Sequence, residues 1–322
     1  MGFRGSGRGG YRGRLRRVVF AVLITGALVV PLSAAARPRI PAPPPAKLAP
    51  LSAVTLAGTY EANRADAAEA SRMAAAHGDR GRAAADRALA SPSRDLLAFD
   101  GRGPGRVTEV FGDLTTAEHI AVLVPGSDTT LDTYARLRAG ALALHRRTGP
   151  RAAVIAWLGY DTPRMLGTAA LTASRAERGA RGLERFVAEL RAAVGRSPDI
   201  SLLCHSYGTV VCAQAAATAD VRDIALVGSP GTGVDSAADL HTRARVWAAR
   251  GGDDWIADVP HLRTDLFGTA VGFGTDPVSP AYGARVFAAG DGGHSDYFAP
   301  GSVSLANLAR IVLGRASEVT HA

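Results

Sequence analysis

Residues 200–211 read Ile-Ser-Leu-Leu-Cys-His-Ser-Tyr-Gly-Thr-Val-Val. An apolar strand that passes through a tight turn straight into a helix start forces the turn residue, Ser206, to present its hydroxyl above the strand end. The helix amino terminus behind it favours developing negative charge. A serine hydroxyl is not nucleophilic at neutral pH on its own. It needs a neutral imidazole to accept its proton and a carboxylate to fix the imidazole tautomer. The chemistry such a set performs is attack on an acyl carbon, with Ser206 the candidate nucleophile. The plainer alternative is an ordinary strand-to-helix turn with a serine cap. His205 is expected to support the turn by packing and hydrogen bonding.

At this turn the chain resembles the α/β-hydrolase superfamily, whose elbow is usually written G-x-S-x-G. Here Cys204 stands in place of the first glycine. A small residue is wanted there because strand and helix backbones approach closely, and cysteine is small. The resemblance implies the chain order Ser, acid, His. Of the downstream histidines, His241, His261, His294 and His321, only His294 follows a predicted strand (285–288) and precedes the closing helix. The glycine-rich loop 290–293 frees it to aim back across the sheet, so His294 is the candidate base, with His261 in reserve. The acid should follow the preceding strand, and there Asp253 and Asp254 are adjacent. In the superfamily the acid is commonly followed by any residue and then an aliphatic one, which favours Asp254 with Ile256. Asp253 is the alternative, and Asp161 and Asp235 stay open. The oxyanion hole is expected from the N–H of Tyr207. By position, the N–H of Ser127 adds to it, following Pro125-Gly126 where the superfamily has His-Gly. A plain strand-exit turn is the alternative at that second place.

The elements that must position these groups are legible as alternating runs. Predicted strands at 96–99, 107–111, 120–124, 152–157, 200–203, 224–227, 245–248 and 285–288 alternate, from residue 133 on, with helices at 133–147, 175–194, 208–217 and 303–313. Near-continuous apolar strands separated by amphipathic helices imply an α/β domain with a mostly parallel sheet covered on both faces. In such a sheet the chemistry belongs at the carboxyl ends of the strands. The α/β-hydrolase domain is expected over 93–316, followed by a tail, 317–322. It is preceded by a helical extension, 58–92, broken at Gly78 and Gly81, with low functional content. The strand-exit stretches Val-Pro-Gly (124–126), 157–163, 228–231 and 295–298, taken with the elbow, are similar to a bacterial α/β-hydrolase family of largely unassigned substrate, formerly catalogued as a domain of unknown function. That resemblance covers roughly 96–313.

The chain has 322 residues and a formal net charge of +8, and Lys47 is its single lysine, which excludes a Walker-type phosphate loop. The charge sits at the front: residues 1–36 carry six arginines and no acid, leaving about +2 for the body and no footprint for nucleic acid. The arginines precede an apolar run at 18–30 and the small residues Ala34-Ala35-Ala36. This describes an export signal cleaved after Ala36, with an uncleaved membrane anchor as the alternative. Residues 37–57 read as a proline- and alanine-rich tether. Export would permit a bridge between Cys204 and Cys212, yet packing as small hydrophobes is the expected state. Glycines 228, 231 and 233 do not match the dinucleotide fingerprint, and no metal cluster or other cofactor signal is read. The expected function is an exported serine hydrolase acting on a small acyl compound, with a carboxylic ester as the expected bond. Peptidase or acyltransferase chemistry with the same triad and a non-catalytic binding protein are the rivals. The segment 259–282 reads as a lid or edge loop without a pocket code.

Overall fold

The computed structural model describes residues 40–164, 173–259, 264–266, 269–271 and 274–322. The expected export segment, 1–36, lies outside them, as does His261. Along the chain run α1 (Leu56–Ala76), α2 (Arg80–Leu89), β1 (Asp95–Asp100), β2 (Arg106–Phe111), β3 (His119–Val124), α3 (Tyr134–Thr148), β4 (Ala152–Leu158) and α4 (Ala173–Val194). Then follow β5 (Asp199–His205), α5 (Gly208–Ala215), β6 (Asp223–Val227), β7 (Arg245–Ala249), the short β8 (Thr264–Leu266) and β9 (Thr269–Val271), β10 (Arg285–Val286) and α6 (Val303–Val312).

Eight strands form one sheet in the order β1-β2-β4-β3-β5-β6-β7-β10. From β4 to β10 neighbours are parallel, while β1 and β2 form an antiparallel edge. The apolar runs follow from burial on both sides, since successive side chains alternate faces. Ile120, Val122, Ile155, Leu202 and Leu226 join one core with Leu183 and Val187 of α4 and Val211 of α5. Ala121, Leu123, Val154, Leu203 and Ala225 join the other with Leu144 of α3 and Leu308 of α6. This is the two-sided α/β architecture that the alternating apolar strands and amphipathic helices implied.

Several expectations are refined by the structure. The helical extension is broken at Gly78, which takes φ +89, but Gly81 sits inside α2. Arg82 is fully buried, with Nε donating to Asp132 Oδ1 (2.8 Å) and Nη1 to the Gly101 carbonyl (3.0 Å). Helix α2 is thereby tied to loops of the sheet domain. The strand expected at 285–288 pairs with β7 through Arg285 and Val286, and the Ala288 N–H turns instead to the Thr320 carbonyl (2.9 Å). The residues of the expected tail, 317–322, are docked here, with Val319 buried. Part of the expected tether also lies on the body, since Ala42 and Leu51 pack against the cores.

Candidate active site

Strand β5 delivers Ser206 to the carboxyl edge of the sheet and α5 leaves from it at once. Ser206 takes φ +54, in the left-handed region that costs a non-glycine residue roughly 1–2 kcal/mol. Its backbone is held on both sides. The Ser206 N–H donates to the Val227 carbonyl (3.0 Å), and the Ser206 carbonyl accepts from the Thr209 N–H (2.9 Å) and hydroxyl (2.7 Å). Two glycines make room: a Cβ on Gly126 would lie 2.6 Å from Ser206 Cβ, and one on Gly208 would lie 2.6 Å from the Val124 and Pro125 carbonyl oxygens. The exit of β3 thus presses directly on the turn. Ser127, the expected second oxyanion donor, follows Gly126 there, and Tyr207 stands immediately before α5.

Ser206, His294 and Asp254 come together across a long stretch of chain. The Ser206 hydroxyl lies 2.9 Å from His294 Nε2, and His294 Nδ1 lies 2.8 and 3.1 Å from the two Asp254 oxygens. A carboxylate can only accept, so Nδ1 carries a proton, and in the neutral ring Nε2 is then the acceptor that faces the serine hydroxyl. Burial alone would raise the Asp254 carboxyl. Hydrogen bonds from His294, Tyr297 and the Ile256 N–H outweigh it and hold the group below its ordinary range, ionised at neutral pH. Asp254 also caps the short turn of 3-10 helix Trp255–Asp258 through that Ile256 N–H, so capping and orienting coexist.

Further residues complete the arrangement. The Tyr297 hydroxyl donates to Asp254 Oδ2 and accepts from the Gly251 N–H (3.0 Å). Burial, and then the bond to the carboxylate, push its phenol well above the ordinary value, so it stays a donor. His205 reaches with Nε2 to the His294 carbonyl, 2.7 Å away. A carbonyl accepts, so Nε2 holds a proton. Burial and then the neighbouring His294 push the ring down to about 4, keeping it neutral. Its ring centroid is 4.8 Å from that of His294, and Trp255 flanks His294 at 4.6 Å while remaining 43% exposed.

The other candidates stand elsewhere. Asp253 is exposed while its neighbour is buried. Asp161 pairs with Arg106 on the surface (3.1 Å), Asp235 and His241 are exposed, and His321 contacts the Val286 carbonyl. Within 259–282, β8 and β9 form a small antiparallel ribbon. Among the described residues, no group of three or more His, Cys, Asp or Glu could hold a metal ion. Tyr297 and Thr209 were not singled out individually by sequence reasoning. Tyr297 was visible only as part of the stretch 295–298, and its role depends on a return of the chain that no local spacing encodes.

The cysteines require a further correction. Cys204 and Cys212 are bonded to each other, with their Cα atoms 6.4 Å apart, rather than packed as two free thiols. Strand β5 and helix α5 lie close enough for the bridge because the turn between them is so tight.

A family model described as alpha/beta hydrolase matches residues 100–264. The uncharacterized protein Rv2079 of Mycobacterium tuberculosis is 32% identical over 255 residues, which is 68% of this chain and 38% of that protein. The chain thus spans well under half the length of that relative. The uncharacterized protein Mb0988c of Mycobacterium bovis is 33% identical over 177 residues, 49% of this chain and 66% of its own length. Among solved structures, XC6422 from Xanthomonas campestris, described as a serine hydrolase without lid, has a TM-score of 0.45 at 16% identity, covering 70% of this chain and 95% of that one. Esterase PE8 has a TM-score of 0.42 at 18% identity, covering 64% and 96%.

Proposed function

The chain belongs to the alpha/beta hydrolase family, and from that premise we propose that it is an exported serine hydrolase that cleaves a carboxylic ester through an acyl-enzyme on Ser206. The observation that carries this reading is the unbroken relay from Asp254 through His294 to the Ser206 hydroxyl, with each contact within hydrogen-bond reach. His294 Nε2 takes the serine proton as Oγ attacks the acyl carbon. Asp254 stabilises the imidazolium that forms and does not itself take the proton. His294 then protonates the departing alcohol oxygen and activates water to release the acid. The negative charge on the tetrahedral oxygen is met by the N–H groups of Tyr207 and Ser127. Export is supported by the basic and apolar character of residues 1–36 and by the cysteine bridge, since such bonds persist in oxidising compartments.

The test is a panel of p-nitrophenyl esters of graded acyl length assayed with the wild-type chain and Ser206→Ala. Turnover of at least one ester that falls by three orders of magnitude or more in the variant is expected. Turnover that survives the substitution, or no turnover across the panel by folded protein, would overturn the reading.

A further inference from the structure

The bridge between Cys204 and Cys212 spans the nucleophile itself. Cys204 is the last buried residue of β5, two places before Ser206, and Cys212 lies in the second turn of α5. Resting on the hydrolase reading above, we propose that this disulfide is a positioning element of the reaction: it holds Ser206 where His294 can reach it, so the chain becomes a competent enzyme only after oxidation.

Three observations carry the proposal. First, Ser206 sits in a left-handed conformation, which persists only where the surroundings over-determine it. Second, the helix that follows is pinned at two places. At its first residue, Gly208 is pressed against the Val124 and Pro125 carbonyls. At its second turn the pin is the sulfur bond. The nucleophile lies between strand end and helix, so both pins constrain its direction. Third, the residue at position 204 is a cysteine where a residue without a side chain would let strand and helix close together. Two thiols in contact keep their sulfurs further apart than a bond does, so the reduced pair acts as a wedge and the oxidised pair as a clamp. A wedge there would shift the strand end relative to the helix, right beside a hydrogen bond of 2.9 Å between Ser206 and His294. A displacement of about 1 Å at such a site costs on the order of 100-fold in rate.

Both cysteines are fully buried, at 0% exposure. A reductant therefore reaches the bond only when the region opens, and the dependence belongs to maturation rather than to moment-by-moment switching. The maturing step is thiol–disulfide exchange with a disulfide donor. The two cysteine thiols give up two protons and two electrons, one bond forms between their sulfurs, and the donor's own sulfur–sulfur bond breaks to leave two thiols.

The experiment uses the full chain. Cys204→Ser/Cys212→Ser, which keeps two unbonded side chains between strand and helix, is compared with wild type by circular dichroism, thermal melting and ester kinetics at a temperature where both are folded. In parallel, wild-type protein is refolded under dithiothreitol and then exposed to glutathione disulfide, with free thiols counted over time. A fall in kcat of tenfold or more with KM within about threefold is expected in the folded double variant. Activity of the refolded wild type should return in step with thiol loss while its circular dichroism is already that of the folded protein, and this arm decides the matter if the double variant does not fold, since activity that returns only together with folding would overturn the proposal. A purely structural bridge would lower the melting temperature and leave kcat of the folded protein within twofold, which would overturn the proposal. So would reduced, folded wild type with full activity. Wild-type labelling by a fluorophosphonate keeps the two readings apart. A labelled wild type with an equally reactive bridgeless variant overturns the bridge's role alone, whereas an unlabelled wild type overturns the hydrolase reading and this inference with it.

Discussion

Two buried carboxylates stand at opposite ends of neighbouring strands and have different chemistry. Asp223, at the amino end of β6, is fully buried and accepts from Arg245 Nε and Nη2 at 2.7 Å each and from Trp247 Nε1 at 2.7 Å. Asp254, beyond the carboxyl end of β7, is buried to a similar degree but faces an imidazole, a phenol and a backbone N–H. A guanidinium keeps its charge and an indole keeps its proton at every accessible pH, so the Asp223 cluster has no proton to move. It fastens two strands together. The Asp254 cluster ends on an imidazole, whose two nitrogens can each donate or accept, and beyond it lies a hydroxyl. Burial alone thus does not set the two carboxylates apart. The partners' chemistry does, together with the end of the sheet at which they meet.

The comparison can be broken or sharpened by substitution. The largest effect is expected from Asp254→Asn, which removes the charge that stabilises the imidazolium and favours the wrong tautomer. Ester turnover should fall by roughly 10³- to 10⁴-fold, and steady-state kinetics with circular dichroism as a control check it. Asp223→Asn should do the reverse, costing roughly 1.5–3 kcal/mol of unfolding free energy while leaving kcat of the folded protein within twofold. Urea titration measures the first quantity. A variant of Asp223 that keeps its stability and loses turnover would dissolve the distinction.

His205 supplies a pH test. Its folded imidazole is pushed down to about 4, while in the unfolded chain it titrates near 6.5. Between those values the unfolded state binds a proton that the folded state refuses. Stability is therefore fully present above pH 6.5 and falls as pH drops toward 4, by about 3 kcal/mol at most. His205→Gln retains an N–H donor for the His294 carbonyl without titrating, so the difference in urea midpoint between pH 7 and pH 4.5 should shrink in this variant. Tyr297→Phe should lower kcat by roughly tenfold with KM little changed, because Asp254 loses one of the donors that hold it in the ionised state. Asp253→Asn should change kcat by less than about twofold, since its side chain lies at the surface.

The relation between these outcomes and the sequence is uneven for physical reasons. The convergence of Ser206, Asp254 and His294 was readable because each follows an apolar run, and parallel strands deliver their exits to one edge. The choice of Asp254 over its neighbour rested on Ile256, which is buried and anchors the turn. The bridge was not readable, since eight residues of separation permit many distances and only the tightness of the elbow brings the two Cα atoms within 6.4 Å. The docking of the helical extension was equally hidden. Nothing in an alanine- and arginine-rich segment distinguishes Arg82, fully buried on carbonyls and Asp132, from its exposed neighbours. Tyr297 and the C-terminal residues around Val319 belong to the same class, because their partners come from distant parts of the chain.

The central claim is that the hydroxyl at 206 is the nucleophile. The most direct measurement is stoichiometric reaction with a fluorophosphonate followed by peptide mass spectrometry, run beside Ser206→Ala and His294→Ala. A single adduct on Ser206, absent from the alanine variant and formed at least a thousandfold more slowly without the imidazole, is the predicted result. Folded wild-type protein that takes up no label, or takes it up at another residue, would contradict the account.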